Sequence, residues 1–165
     1  MRIVVMGPSG SGKSLVGAAL AAQVRARFVD GDDLHPAANV AKMAAGVPLT
    51  DADREPWLDV VGALLAREAH LVIACSALRR SYRDRIRAAA PDAVFVELVV
   101  PAAELAHRMS RRDHFMPPAL LDSQLAVLEP LAADEQGVRI ANDADLVSVV
   151  DRTASLLRRR LSPKQ

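Results

Sequence analysis

Gly7-Pro8-Ser9-Gly10-Ser11-Gly12-Lys13-Ser14 reads G-x-x-x-x-G-K-S, the pattern of a phosphate-binding loop. Glycines at these places let backbone N–H groups curl around nucleotide phosphates. Lys13 would reach the β- and γ-phosphates, and the Ser14 hydroxyl would hold Mg²⁺. The flanks supply the setting this chemistry needs. Arg2-Ile3-Val4-Val5-Met6 is a short apolar run before the loop. Val16, Leu20 and Val24 then recur every four residues, as on one helix face. Strand, glycine loop and helix place the positive end of a helix at the phosphates.

Working outward, apolar runs of strand length alternate with helical patterns. Arg27-Phe28-Val29 leads into Asp30-Gly31-Asp32-Asp33. A short helix over 36–45 stops at Gly46. A longer helix follows, with Pro56 expected in its first turn and Asp51 or Asp53 expected as its cap. Trp57, Val61, Leu64 and Leu65 make its buried stripe. Leu71 to Cys75 and Val94 to Val100 are strands without alternation, as expected where both faces are covered. Helices are expected over 79–89, 101–112, 118–128 and 146–161, with a last strand at Val138-Arg139-Ile140. The chain is therefore expected to be α/β, with a parallel sheet covered on both faces. Ligands of such sheets bind beyond the carboxyl ends of the strands.

Composition narrows the class of function. The chain has 165 residues, 51% apolar but only 3% aromatic, so Ala, Leu and Val must fill one core of domain size. A formal net charge of +1 argues against a nucleic-acid partner. One cysteine excludes an internal disulfide and suits a reducing compartment. No apolar stretch approaches a membrane span, and the N-terminal run is too short for a signal peptide. A cytoplasmic protein with no membrane partner is expected.

The strand ends carry the chemistry. Asp30 and Asp32 end the second strand, where one carboxylate would hold metal-bound water and the other would take a proton from an attacking hydroxyl. The third strand ends in Cys75-Ser76-Ala77, followed by Arg79 and Arg80, with no aspartate to close it. That moves metal duty to Asp30 and favours a small-molecule kinase over a nucleotide-driven switch. Cys75 reads as an inert core residue. Arg108, Arg111 and Arg112 share one helix face, where like charges repel and a phosphate chain would relieve the strain. Arg111-Arg112-Asp113-His114-Phe115 then leaves as a polar turn suited to a lid. Between the second and third strands, His35, Asn39, Lys42 and Arg54 mark where a second substrate would enter. Lys42 and Arg54 suit a carboxylate, and Asp32 and His35 suit hydroxyls. Trp57 reads as core, and His70 and His107 as surface.

Several of these segments resemble the gluconate kinases (gluconokinases). They are Gly7 to Ser14, Asp30-Gly31-Asp32-Asp33-Leu34-His35-Pro36, Asn39 with Lys42-Met43, Gly46 to Asp51, Asp53-Arg54 and Pro56-Trp57-Leu58. The likeness continues through Cys75-Ser76-Ala77-Leu78, Tyr82-Arg83, His114-Phe115-Met116, Ser123-Gln124 and Leu128-Glu129-Pro130. The resemblance implies a three-layer P-loop kinase fold, similar to shikimate and nucleoside monophosphate kinases, with a five-stranded parallel sheet, helices on both faces and a helical lid. It implies a single domain over 1–165, with a substrate-binding insertion at about 32–56 and a lid at about 105–120. It implies transfer of the ATP γ-phosphoryl group to the 6-hydroxyl of D-gluconate, with Mg²⁺, and a homodimer is expected from the resemblance alone.

Carried over by position, Gly10, Ser11, Gly12, Lys13, Ser14 and Leu15 would hold the phosphates, with Ser14 and Asp30 on the metal. Asp32 would face the reacting hydroxyl by analogy with shikimate kinases. Arg54, Ser76 and Ala77 would line the sugar-acid site, with His35, Lys42, Arg79, Arg80 and His114 as neighbours. Lys13, Asp32, Arg108 and Arg112 would make up the catalytic set, the two arginines acting from the lid. The rival readings are a kinase of the same fold for shikimate or another aldonate, and a nucleotide-binding regulator. Pro8 stands where the family pattern has Val, Asp113 where it has Gly, and 141–145 matches the usual last strand poorly.

Overall fold

The computed structural model describes residues 1–110 and 118–161. Five strands form one parallel sheet in the order β2-β3-β1-β4-β5. They are β1 (Arg2–Met6), β2 (Arg27–Asp30), β3 (Leu71–Ala74), β4 (Val94–Val99) and β5 (Gly137–Ala141). The helices are α1 (Lys13–Val24), α2 (Ala37–Ala44), α3 (Asp51–Arg67), α4 (Arg80–Ala89), α5 (Ala102–Ser110), α6 (Pro118–Val127) and α7 (Leu146–Leu161). A 3₁₀ turn, Gly31–Leu34, follows β2. The expected α/β class and parallel sheet are what the chain adopts.

Strand pleating sends alternate side chains to opposite layers. Val4 and Met6 of β1 join Ile73, Phe95, Trp57, Val61, Leu65 and Ile86 beneath α3 and α4. Ile3 and Val5 join Val72, Val96, Val16, Leu20, Val149 and Leu157 beneath α1 and α7. Both faces of the sheet are therefore sealed, which is why its strands read as unbroken apolar runs. A smaller cluster of Leu105, Met109 and Leu121 joins α5 to α6 near the loop after β1.

The start of α3 differs from the sequence expectation. Thr50 is the N-cap, and Asp53 completes a capping box with it. Asp51 and Asp53 are helical residues, and Pro56 is the sixth residue of the helix, not part of its first turn. The reciprocal Thr50–Asp53 bonds satisfy two N–H groups at once, which outweighs the one backbone bond lost at Pro56. Helix α6 ends at Val127, one residue inside its expected bound, and the expected end of α5 falls outside the described residues.

Sheet order positions the site. β2 and β3 lie on one side of β1, and β4 and β5 on the other. Chain direction across the sheet thus reverses beside β1, and the loop that leaves β1 opens at that reversal.

Candidate active site

The loop after β1 is shaped by its glycines. Gly10 and Gly12 take φ of 81° and 87°, values at which a side chain is strained. Gly12 is the N-cap of α1, so the loop delivers its N–H groups to a helix N-terminus. Neighbouring segments hold it from three sides. The Gly7 N–H donates to the Ser76 carbonyl at 3.4 Å, the Ser9 N–H to Gln124 Oε1 at 2.7 Å, and Asn142 Nδ2 to the Ser11 carbonyl at 2.7 Å. Lys13 is 8% exposed, and Leu15 is exposed at 65%. The Ser11 hydroxyl is buried and, among the described residues, has no hydrogen-bond partner.

β2 delivers the carboxylates. Asp30 Oδ1 accepts from the Asp32 N–H at 3.1 Å, which curls the chain into the 3₁₀ turn and sets the two carboxylates at the sheet edge beside β3. Gly31 makes this approach feasible, because a Cβ there would sit 2.4 Å from the Ala74 carbonyl oxygen. Cys75 reports how closely charges gather here. Burial pushes its thiol up to about 12, with the Asp32 and Asp30 charges adding and the Lys13 charge opposing. Cys75 is thus the inert core residue the sequence suggested.

Two recesses open from this point. The inner one is lined by Lys13, Asp32, His35, Arg54, Trp57 and Ser76, together with Ser9, Ser123 and Gln124. It brings the Lys13 ammonium, the Asp32 carboxylate and the Arg54 guanidinium to one recess. The outer one, about 510 Å³, is lined by Gly10, Gly12, Leu15, Glu104, His107, Arg108, Asn142 and Leu146, and its volume suits a nucleotide-sized ligand. The loop and Lys13 lie between them.

The remaining candidates fall in several places. Arg54 lines the inner recess and donates to the Leu49 carbonyl. Ser14 is half-buried at the start of α1. Ala77 is buried in the left-handed region at φ 41°, next to Ser76. Its carbonyl accepts from Arg83 Nη1 at 3.2 Å. Lys42 Nζ lies 2.7 and 2.8 Å from the Asp53 carboxylate, which helps hold that carboxyl down at about 2. Arg79 pairs with Asp51 at 3.0 Å, and Arg80 with Asp134 at 2.7 Å. None of Lys42, Arg79 and Arg80 lines the inner recess. Arg108 pairs with Glu104 at 2.7 Å and donates to the Asn142 carbonyl at 3.1 Å, on the wall of the outer recess. Arg111, Arg112, Asp113, His114 and Phe115 lie outside the described residues.

Some site residues carried no sequence signal of their role. Trp57 is buried core, as expected, but its ring also stacks on His35 at 4.0 Å. Its indole N–H donates to the Gly31 carbonyl at 2.7 Å. Gln124 and Asn142 grip the loop from 115 and 131 residues away. Only the Ser123-Gln124 segment of the family pattern pointed at either.

The oxygen donors suit Mg²⁺. Ser14 offers a hydroxyl and Asp30 a carboxylate, and no cluster of three metal-ligating side chains exists among the described residues. Mg²⁺ in phosphoryl-transfer sites takes one or two protein oxygens, with water and phosphate completing its shell.

The profile of the AAA domain family matches residues 3–131. The chain is 45% identical to the thermosensitive gluconokinase of Escherichia coli (strain K12), over 90% of this chain and 83% of that protein. It is 46% identical to the gluconokinase of Gluconobacter oxydans (strain 621H), over 86% of this chain and 82% of that protein. A gluconokinase structure from Sinorhizobium meliloti 1021 superposes with a TM-score of 0.90 at 46% identity, covering 96% of this chain and 91% of that one. Shikimate kinase from Bacteroides thetaiotaomicron shares the fold, with a TM-score of 0.72 at 20% identity.

Proposed function

The chain belongs to the gluconokinase family, and from that premise we propose that it transfers the γ-phosphoryl group of ATP to the 6-hydroxyl of D-gluconate, giving 6-phospho-D-gluconate and ADP. The observation that carries the reading is that Lys13, Asp32 and Arg54 line one recess together with Ser9 of the glycine loop.

Each group has a physical task. The loop N–H groups and the α1 N-terminus bind the ATP phosphates, with the nucleoside in the outer recess beside Leu15 and Leu146. Lys13, nearly buried, offsets charge on the transferring oxygens, where a low dielectric strengthens its effect. Asp32 orients the acceptor hydroxyl and takes its proton as the bond to phosphorus forms. Arg54 binds the sugar-acid carboxylate, with Ser76 and His35 beside the hydroxyls. Mg²⁺ held by Ser14 and Asp30 would supply further charge neutralisation. Arg108 and Arg112 act from the lid, His114 neighbours the acceptor, and lid closure excludes water and suppresses ATP hydrolysis.

The acceptor is D-gluconate and not shikimate, because the likeness to shikimate kinases is one of fold. A regulator that only binds nucleotide would have no use for an acceptor wall of Asp32 and Arg54. Among the described residues no helix is long and apolar enough to cross a membrane, and the proposal includes a cytoplasmic location and a homodimer. The test is the product. Phosphorus NMR of the reaction mixture should show a phosphomonoester coupled to the two C6 protons. A phosphate on any other carbon would refute the assignment.

A further inference from the structure

His35 stands at the inner recess with its ring face on Trp57. Its Nδ1 lies 3.3 Å from Asn39 Nδ2. The same Nδ2 donates to the Asp53 carbonyl oxygen at 2.8 Å. That second bond settles which way the Asn39 amide faces, since a carbonyl oxygen can receive only the NH₂ group. The nitrogen beside Nδ1 is therefore a donor, and Nδ1 must be the acceptor. A neutral imidazole that accepts at Nδ1 carries its proton on Nε2. Among the described residues no group hydrogen-bonds Nε2, and the ring lines the recess.

We infer that Asn39 fixes His35 as the Nε2–H tautomer, so that the ring presents a hydrogen-bond donor to a hydroxyl oxygen of the acceptor sugar acid. Asn39 is thus a positioning residue acting through His35, and the inference rests on the sugar-acid reading of this recess.

The surroundings favour the neutral ring. Burial lowers the His35 pKa most, and the Arg54 charge lowers it further, while the Asp32 charge pulls the other way. Asn39 is itself only 4% exposed and belongs to α2. Its Asp53 contact is on α3, so the tautomer is set by packing between two helices. A fixed donor discriminates among acceptors, because a ligand without an oxygen at that point leaves a buried N–H unpaired.

The test begins with the side-chain nitrogens. Two-bond ¹H–¹⁵N correlation of the uniformly labelled protein at pH 7.5, with His35 assigned by its loss in His35→Gln, should show a pyrrole-type Nε2 and a pyridine-type Nδ1. The reverse pattern overturns the inference. In Asn39→Asp the carboxylate only accepts, so at a pH where the spectrum shows a neutral ring the proton should move from Nε2 to Nδ1. The acceptor KM should then rise about tenfold, the worth of one hydrogen bond, while the ATP KM stays put. An inverted tautomer with an unchanged acceptor KM also overturns it.

If Asn39→Asp does not fold, His35→Gln and His35→Asn decide. Gln places an amide N–H near the Nε2 position and should keep the acceptor KM near wild type, whereas Asn should not. Equal losses in the two would contradict the donor role. A wild-type protein that turns over no sugar acid would refute the proposed function instead, and the nitrogen spectrum would still judge the tautomer.

Discussion

The Arg83 guanidinium and the Glu135 carboxylate meet in a two-pronged buried pair, Nε to Oε2 and Nη2 to Oε1, both at 2.7 Å. Both side chains are 1% exposed. Arg83 also donates to the Ala77 and Glu129 carbonyls, and Glu135 accepts from Arg87 and the Ala132 N–H. The pair therefore ties the 131–136 loop to α4 and to the turn after β3 that borders the acceptor recess.

The pair gives stability a defined pH dependence. Burial alone would raise the Glu135 carboxyl, but the bonds from Arg83, Ala132 and Arg87 hold it at about 2, against 4.5 for a free glutamate. A depressed folded-state value stabilises above the unfolded value and is lost as pH falls through the folded one. Glu135→Gln should be less stable than wild type at pH 7 by roughly 3 kcal/mol, since it strands a buried guanidinium. The gap between the two proteins should narrow as pH falls from about 5 toward 2. Urea unfolding across that range checks it, and a constant gap would refute the linkage.

Gly31→Ala tests the close passage of β2 past β3. The new Cβ meets backbone at 2.4 Å and has no flexible neighbour to displace. The cost should be about 1–3 kcal/mol, as for overpacked sites. The carboxylate of Asp32 should also move, so kcat should fall even under conditions where the variant is fully folded. Unfolding curves and kcat measured together decide this, and a variant normal in both would show that the passage is looser than described.

Asp32→Asn keeps the shape of the recess wall and removes its base. Turnover should fall about a hundredfold or more, while ATP affinity by calorimetry changes little. Equal losses in turnover and ATP affinity would place Asp32 in nucleotide binding and not in proton transfer.

Arg54→Ala should act on the acceptor. Loss of a charge-assisted bond to a carboxylate predicts a rise of about ten- to a hundredfold in gluconate KM, with ATP KM unchanged. The Tyr82 ring lies beneath this guanidinium, 5.6 Å away, so Arg54→Lys should restore only part of the affinity. An unaltered gluconate KM in the alanine variant would remove Arg54 from the acceptor site.

The features legible in the sequence are those written in neighbouring residues. Gly7 to Ser14 announced the loop, Leu71 to Cys75 a strand covered on both faces, and Asp30-Gly31-Asp32 the acidic strand end. What stayed hidden depends on partners far along the chain. Nothing near Arg83 foretells Glu135, 52 residues on, and nothing near Ser9 foretells Gln124. Arg79 and Arg80 follow a strand end, and the sequence there says nothing of their partners Asp51 and Asp134. Nor does the sequence near Lys42 point to Asp53, eleven residues on. The N-terminus of α3 misled because Thr50 and Asp53 cap it together, which outweighs the preference of Pro56 for a first turn.

ADP release from Mg-ATP, measured with D-gluconate, with shikimate, with other aldonates and with no acceptor, decides the reaction. Release should require D-gluconate and be negligible without an acceptor. Release that proceeds equally without acceptor, or only with shikimate, would contradict the proposed transfer.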